Sequence, residues 1–168
     1  LNHRLNGYKG KWFMSIVVIL MGSKADLPFV ERITAALDEF GIAYELRIAS
    51  AHKSAAYLLD LLADYEASGR VGVYITVAGR SNALSGLVDA HVTAPVIACP
   101  PYSEAFGGVD VYSSLRMPSG VAPALVLEPQ NAAMLAAKVL GLKERVQNAQ
   151  QKQRQALIEA DRELQADH

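Results

Sequence analysis

Tyr44-Glu45-Leu46-Arg47-Ile48-Ala49, running directly into Ser50-Ala51-His52-Lys53, is the stretch on which the reading of this chain turns. An apolar, strand-like segment ends in small residues, delivers an imidazole and a cation, and gives way to a helical pattern from Ser54. In open α/β folds, ligands bind at the carboxyl ends of parallel strands, which is where such a turn places its side chains. Position alone leaves His52 two readings, a functional imidazole or an ordinary surface or core histidine.

Toward the N-terminus, Ile16 to Met21 is a continuous run of Ile, Val and Leu closed by Met, as expected of a strand buried on both faces of a parallel sheet. It empties into Gly22-Ser23-Lys24-Ala25-Asp26. Free backbone N–H groups and the positive end of a following helix can hold a phosphate there. The alternative is a plain strand-to-helix turn in which Asp26 caps the helix ahead of Pro28. Val30, Ile33, Leu37 and Phe40 give that helix one apolar face over Leu27 to Phe40, and Gly41 stops it. Ile42 to Ala49 is then the second strand. Leu1 to Phe13 has no period and precedes Met14, which reads as a translation start; residues 1–13 are expected to be an extension outside the fold.

Toward the C-terminus, a second helix spans Ser54 to Ser68, with Leu58, Leu61, Leu62 and Tyr65 inward, and a third strand spans Val71 to Ala78. That strand delivers Gly79-Arg80-Ser81-Asn82, where glycine permits close backbone approach and the hydroxyl, amide and guanidinium supply donors. A short helix (Ala83 to His91) and a fourth strand (Ala94 to Cys99) follow, and Pro100-Pro101 forces an extended exit. Glu104 to Gly108 reads as a loop, Asp110 to Arg116 as a short helix and Ala122 to Leu127 as a fifth strand. Pro129 starts a helix whose Ala132, Ala133, Leu135, Ala136 and Ala137 form a smooth face suited to close helix packing, packing between subunits included. Residues 14–142 thus form the expected catalytic body. Residues 143–168 read as a long, mostly exposed helix docked on a neighbouring subunit.

Strand and helix alternate five times, which predicts an α/β three-layer sandwich with a parallel sheet, flavodoxin-like in outline. If the first strand is central, Ser23 and Asp26, Ser50 to Lys53, and Gly79 to Asn82 converge on one pocket. Its cation, hydroxyls, carboxylate and imidazole suit a phosphorylated sugar compound undergoing proton transfer. The totals agree with a single globular domain: 168 residues, 51% of them hydrophobic and 20% charged. A net charge of −1 argues against nucleic acid or membrane as a partner reached through bulk electrostatics, so any anion site must be built locally. Cys99 is the single cysteine, and four scattered histidines carry no metal signature, so no disulfide framework and no metal site are expected. No apolar run approaches the roughly 20 residues of a membrane helix, and the chain reads as cytoplasmic.

Four motifs together resemble the PurE family of purine biosynthesis: Met21-Gly22-Ser23-Lys24-Ala25-Asp26, Ser50-Ala51-His52-Lys53, Ala78-Gly79-Arg80-Ser81-Asn82, and Ser113-Ser114-Leu115-Arg116-Met117-Pro118-Ser119-Gly120. The resemblance runs in order from about Ile16 to Leu142. Within the family, histidine followed by arginine and a third loop reading Gly-Gly-Ala-Ala-His mark mutases that move a carboxyl group within carboxyaminoimidazole ribonucleotide. Ser-Ala-His-Lys and Gly-Arg-Ser-Asn, as here, resemble the second class, aminoimidazole ribonucleotide carboxylases that use carbon dioxide directly. One position departs from the family pattern: Ala25 stands where a second serine is usual, which removes a hydroxyl worth about 0.5–1.5 kcal/mol of net hydrogen bonding.

The resemblance implies that Ser23, Asp26, Ser50, Lys53, Gly79 and Ser81 hold the ribonucleotide, that His52 moves the proton, and that carbon dioxide is the second substrate. It implies no metal, biotin or ATP. Lys53 and Ser23 suit the phosphate, whereas the acceptor-only carboxylate of Asp26 suits ribose hydroxyls. Arg80 and Asn82 either orient the carboxylate or brace the loop, and the Arg116 to Gly120 segment could close the pocket. Cys99 reads as packing, and His3, His91 and His168 as structural. The mutase, and a non-catalytic nucleotide-binding module, are the alternative functions. A homo-oligomer of four or eight subunits is expected from the alanine-rich helix, the extended tail and the family's multimeric habit.

Overall fold

The computed structural model describes residues 15–166; the expected extension 1–13, with His3, and the terminal His168 lie outside the described residues. β1 (Ile16–Met21) lies between β2 (Tyr44–Ile48) and β3 (Val71–Val77), and β4 (Val96–Ala98) and β5 (Ala124–Leu125) complete a five-stranded sheet in the order 2-1-3-4-5. Every pairing is parallel. Helices α1 (Leu27–Glu39), α2 (Ala55–Ser68) and α3 (Ala83–Asp89) make the first three crossovers, and α4 (Pro129–Val139) and α5 (Lys143–Ala166) follow the last strand. The three-layer, flavodoxin-like α/β sandwich expected of the sequence is the fold of this chain.

Successive residues of a strand point to opposite faces, and in β1 they feed two separate cores. Val17, Ile19 and Met21 pack with Val30, Ile33 and Leu37 of α1 and with the alanines of α4. Val18 and Leu20 pack with Leu58 and Leu62 of α2 and with Leu84 and Val88 of α3. A strand with both faces covered must be apolar throughout, which is why Ile16 to Met21 shows no alternation. β2 is different. It is an edge strand, shorter than the expected Ile42 to Ala49, and Leu46 and Ile48 on its outer side remain 40% and 49% exposed.

The smooth face of α4 is used within the chain. Ala132, Ala133, Ala136 and Ala137 are fully buried, and α4 packs against α1 of the same protomer, where small side chains allow the two helices to approach closely. The close helix packing expected of this face is thus made within the chain, and these alanines are not left for a contact between subunits. α5 begins by docking on the same body: Val146 is buried, and the Arg145 guanidinium donates to the carbonyls of Phe40 and Gly41 at the end of α1. Beyond that first stretch the helix runs clear of the body, as the sequence leads one to expect. No helix among the described residues is long and apolar enough to cross a membrane.

Candidate active site at the carboxyl edge of the sheet

The chain leaves β1 toward β2 on one side and returns past it to β3 on the other, so a crevice opens at the carboxyl ends of β1 and β3. A cavity of about 560 Å³ occupies it, within the usual range for a small-molecule site. Ser23, Asp26, Ser50, His52, Lys53, Gly79 and Ser81 all line this cavity, so the structure brings together the seven residues that the resemblance assigns to the site, whereas Asn82, expected beside them, does not line it.

In the first loop, Ser23 Oγ accepts a hydrogen bond from the Ala25 N–H at 3.2 Å and caps a 3₁₀ turn over Lys24–Asp26. Asp26 occupies the N-cap position of α1 but makes no capping bond with its side chain. The reading of Asp26 as a plain cap therefore fails, and its carboxylate is left to the cavity. Burial pushes the Asp26 carboxyl above its ordinary value of 3.8, while a hydrogen bond from the Ser23 backbone and the positive charge of Arg80 pull it back. By linkage, this group's contribution to stability is fully present below its unfolded value and is lost as pH rises through the folded one. Desolvation of this half-buried carboxyl leaves it an acceptor that ligand hydroxyls would satisfy.

The second loop is a tight turn held by its own hydroxyls. Ser54 Oγ accepts from the Ser50 N–H at 2.9 Å, and Ser50 Oγ accepts from the Lys53 N–H at 3.3 Å. Backbone polarity is absorbed locally. The side chains of His52 and Lys53 are exposed on the cavity wall, and among the described residues the His52 imidazole makes no hydrogen bond to protein.

In the third loop Arg80 adopts φ 60°, a left-handed conformation that costs a non-glycine residue about 1–2 kcal/mol. Its N–H donates to Asp110 Oδ2 at 2.9 Å, and its carbonyl accepts from Ser113 Oγ at 3.0 Å. Asn82 caps α3 through its side-chain oxygen, which accepts from the Ser85 N–H, while its amide donates to Ser85 Oγ at 2.7 Å and Ser114 Oγ at 2.8 Å. Of the two roles left open for Asn82, this geometry is that of a brace. Arg80 lines the cavity with its side chain exposed.

Sequence reading missed a fourth wall. Pro101, Tyr102 and Ser103, at the carboxyl end of β4, also line the cavity. Pro100-Pro101 was the available signal, because it ends a strand at the same edge as the other three loops. Tyr102 lies so close to Gly108 that an added Cβ would sit 2.5 Å from its ring, and Gly108 also has φ 77°. Arg116 to Gly120 line no part of the cavity; Met117 instead packs over Gly86 of α3. His91 is outside the cavity, with Nδ1 2.8 Å from the Leu87 carbonyl. Cys99 is buried, and burial pushes its thiol up to about 12, which fits packing rather than a nucleophile.

Strand order and cavity together define a flavodoxin-like α/β protein with a polar ligand site at its topological switch point. Residues 16–160 match the family model for AIR carboxylase, and the chain belongs to that family. It is 51% identical to the phosphoribosylaminoimidazole carboxylase of Treponema denticola, over 89% of this chain and 97% of that protein. The protein of the same name from Archaeoglobus fulgidus is 52% identical, over 88% of this chain and 83% of its own length. The crystal structure of Treponema denticola PurE superposes with a TM-score of 0.87, covering 89% of this chain and 98% of that one. The resemblance carried by the four motifs is therefore a family relationship.

Proposed function

We propose that this chain carboxylates aminoimidazole ribonucleotide with carbon dioxide, reversibly, as a carboxy-lyase of cytoplasmic purine biosynthesis. The observation that carries this reading is the His52 imidazole, without a hydrogen bond among the described residues, in a cavity whose other walls bear Lys53, Ser23, Ser50, Ser81 and Asp26. Lys53 and Ser23 take the phosphate, and Asp26 accepts from the ribose hydroxyls. The aminoimidazole ring is electron-rich like an enamine, so the carbon beside the amine-bearing carbon attacks carbon dioxide and a C–C bond forms. The adduct carries hydrogen and carboxylate on one tetrahedral carbon. His52 takes that proton, the C–H electron pair returns to the ring, and aromaticity is restored; imidazole is suited to the step because its ordinary pKa lies near neutrality. The test is the ultraviolet change on mixing the protein with carboxyaminoimidazole ribonucleotide, without ATP or metal. Decarboxylation is expected, and no turnover by folded protein would sink the reading.

Gly79 provides a separate check on where the ligand lies. A Cβ at this position would meet Pro101 at 3.5 Å and Asp110 Oδ2 at 3.8 Å, both ordinary contacts. Gly79→Ala is therefore expected to fold with stability within about 0.5 kcal/mol of the parent while binding the ribonucleotide more weakly. A melting curve and a calorimetric titration read the two effects; unchanged affinity would mean that no ligand atom approaches this backbone.

The catalytic body, residues 14–142, works in a homo-oligomer of four or eight subunits, with α5 docked on a second copy of the chain. Val146 and Leu164 are 18 positions apart, about five turns at 3.6 residues each, so the stripe that docks the start of α5 continues along it. Leu157 and Leu164 on that continuation are 73% and 62% exposed. Light scattering that returned the 18.1 kDa mass of one chain would contradict the assembly.

A further inference from the structure

We propose that Asp110, seconded by Ser113, is a positioning residue for the reaction: it acts through the Arg80 peptide to set the backbone of the third loop. The inference rests on the functional reading above and adds a residue that does not itself line the cavity. Arg80 is the non-glycine residue with positive φ among the described residues. Such a conformation persists only where the surroundings over-determine it. Here both polar groups of the Arg80 backbone are held from one 3₁₀ turn, Val109–Ser114: the N–H by Asp110 Oδ2 at 2.9 Å and the carbonyl by Ser113 Oγ at 3.0 Å. Two positions on, the Asn82 N–H donates to Ser113 Oγ at 3.0 Å. Three bonds from a distant turn thus bracket the loop.

The two anchors are unequal. Ser113 has a single hydroxyl proton, and its Oγ lies 3.0 Å from the Arg80 carbonyl and 2.7 Å from the Asp110 carbonyl, so the proton is shared. Asp110 offers a carboxylate oxygen to the Arg80 N–H with no such competition. Its loss frees Arg80 to relax to negative φ, which rotates the peptides on both sides. Gly79 and Ser81 would then leave the cavity wall together, although neither was altered. What the Arg80 amide needs is an acceptor at this point, and an amide oxygen supplies one as well as a carboxylate does.

Three variants test this, each read by steady-state decarboxylation and by amide hydrogen exchange over residues 79–82. Asp110→Ala is expected to lower kcat/KM by about tenfold or more, chiefly through KM, and to accelerate exchange at Arg80 while the β1 and β3 amides keep their protection. Asp110→Asn restores the acceptor, so kcat/KM should stay within about threefold of the parent and the Arg80 amide should stay protected. Ser113→Ala should fall between the two. Three outcomes would overturn the proposal: Asp110→Asn as impaired as Asp110→Ala, Asp110→Ala with unaltered kcat/KM, or a loss fully accounted for by a smaller folded fraction. If the parent protein itself fails to turn over, the functional reading falls alone, and the exchange pattern of the three variants still decides whether the latch exists.

Discussion

His52→Asn is expected to lower kcat for decarboxylation of carboxyaminoimidazole ribonucleotide by about 10²–10⁴-fold, the usual contribution of a positioned general acid–base group. In the reverse direction the ring carbon must be protonated before carbon dioxide leaves, and the asparagine amide neither gives nor takes that proton. The fold should be indifferent to the change. His52 is exposed, lies in a turn held by the hydroxyls of Ser50 and Ser54, and contributes no hydrogen bond of its own among the described residues. The melting temperature should therefore match the parent's. KM should change little, because asparagine is polar and of similar reach. Retention of more than about a tenth of the parental kcat would move the proton to another group.

Lys53→Ala has the second-largest expected effect, and it lands on the other kinetic constant. A hydrogen bond to a charged group contributes about 1.5–3 kcal/mol, equivalent to a rise in KM of roughly 10- to 100-fold. Because the phosphate is remote from the reacting carbon, the interaction is the same in ground and transition states, and kcat should hold within about threefold. The local turn does not depend on the ammonium group, since it is the Lys53 backbone N–H that bonds Ser50 Oγ. Steady-state kinetics at two ionic strengths check the assignment, because an exposed cation loses part of its attraction for phosphate as salt rises. A fall in kcat with KM intact would instead place Lys53 at the chemistry.

Legibility in the sequence followed how local each feature is. β1 was readable as an unbroken apolar run and β3 as a near-continuous one because both their faces are covered. β5 was overestimated: the stretch Ala122 to Leu127 pairs with β4 only through Ala124 and Leu125. The second strand was overestimated at both ends for a related reason, because Ile42 and Ala49 are buried but lie beyond its ladder. Apolar character reports burial, whereas a ladder needs a partner strand. The alanines of α4 carried the opposite ambiguity. Their spacing announces a close contact, but not whether the partner helix is α1 of the same chain or one from another.

The site divides in the same way. Three short motifs placed Ser23, Asp26, Ser50, His52, Lys53, Gly79 and Ser81 at strand ends, and a parallel sheet must present those ends along one edge. Residue type and spacing were sufficient for that, and for the family. Pairing across the sheet was needed for the rest. The order 2-1-3-4-5 decided that these loops share one cavity with Tyr102, and that the Asp26 carboxylate faces it rather than capping α1. It also brought Asp110 to a peptide 30 positions away. Contacts of that separation are set by the packing of whole elements, and no local pattern around either residue encodes them.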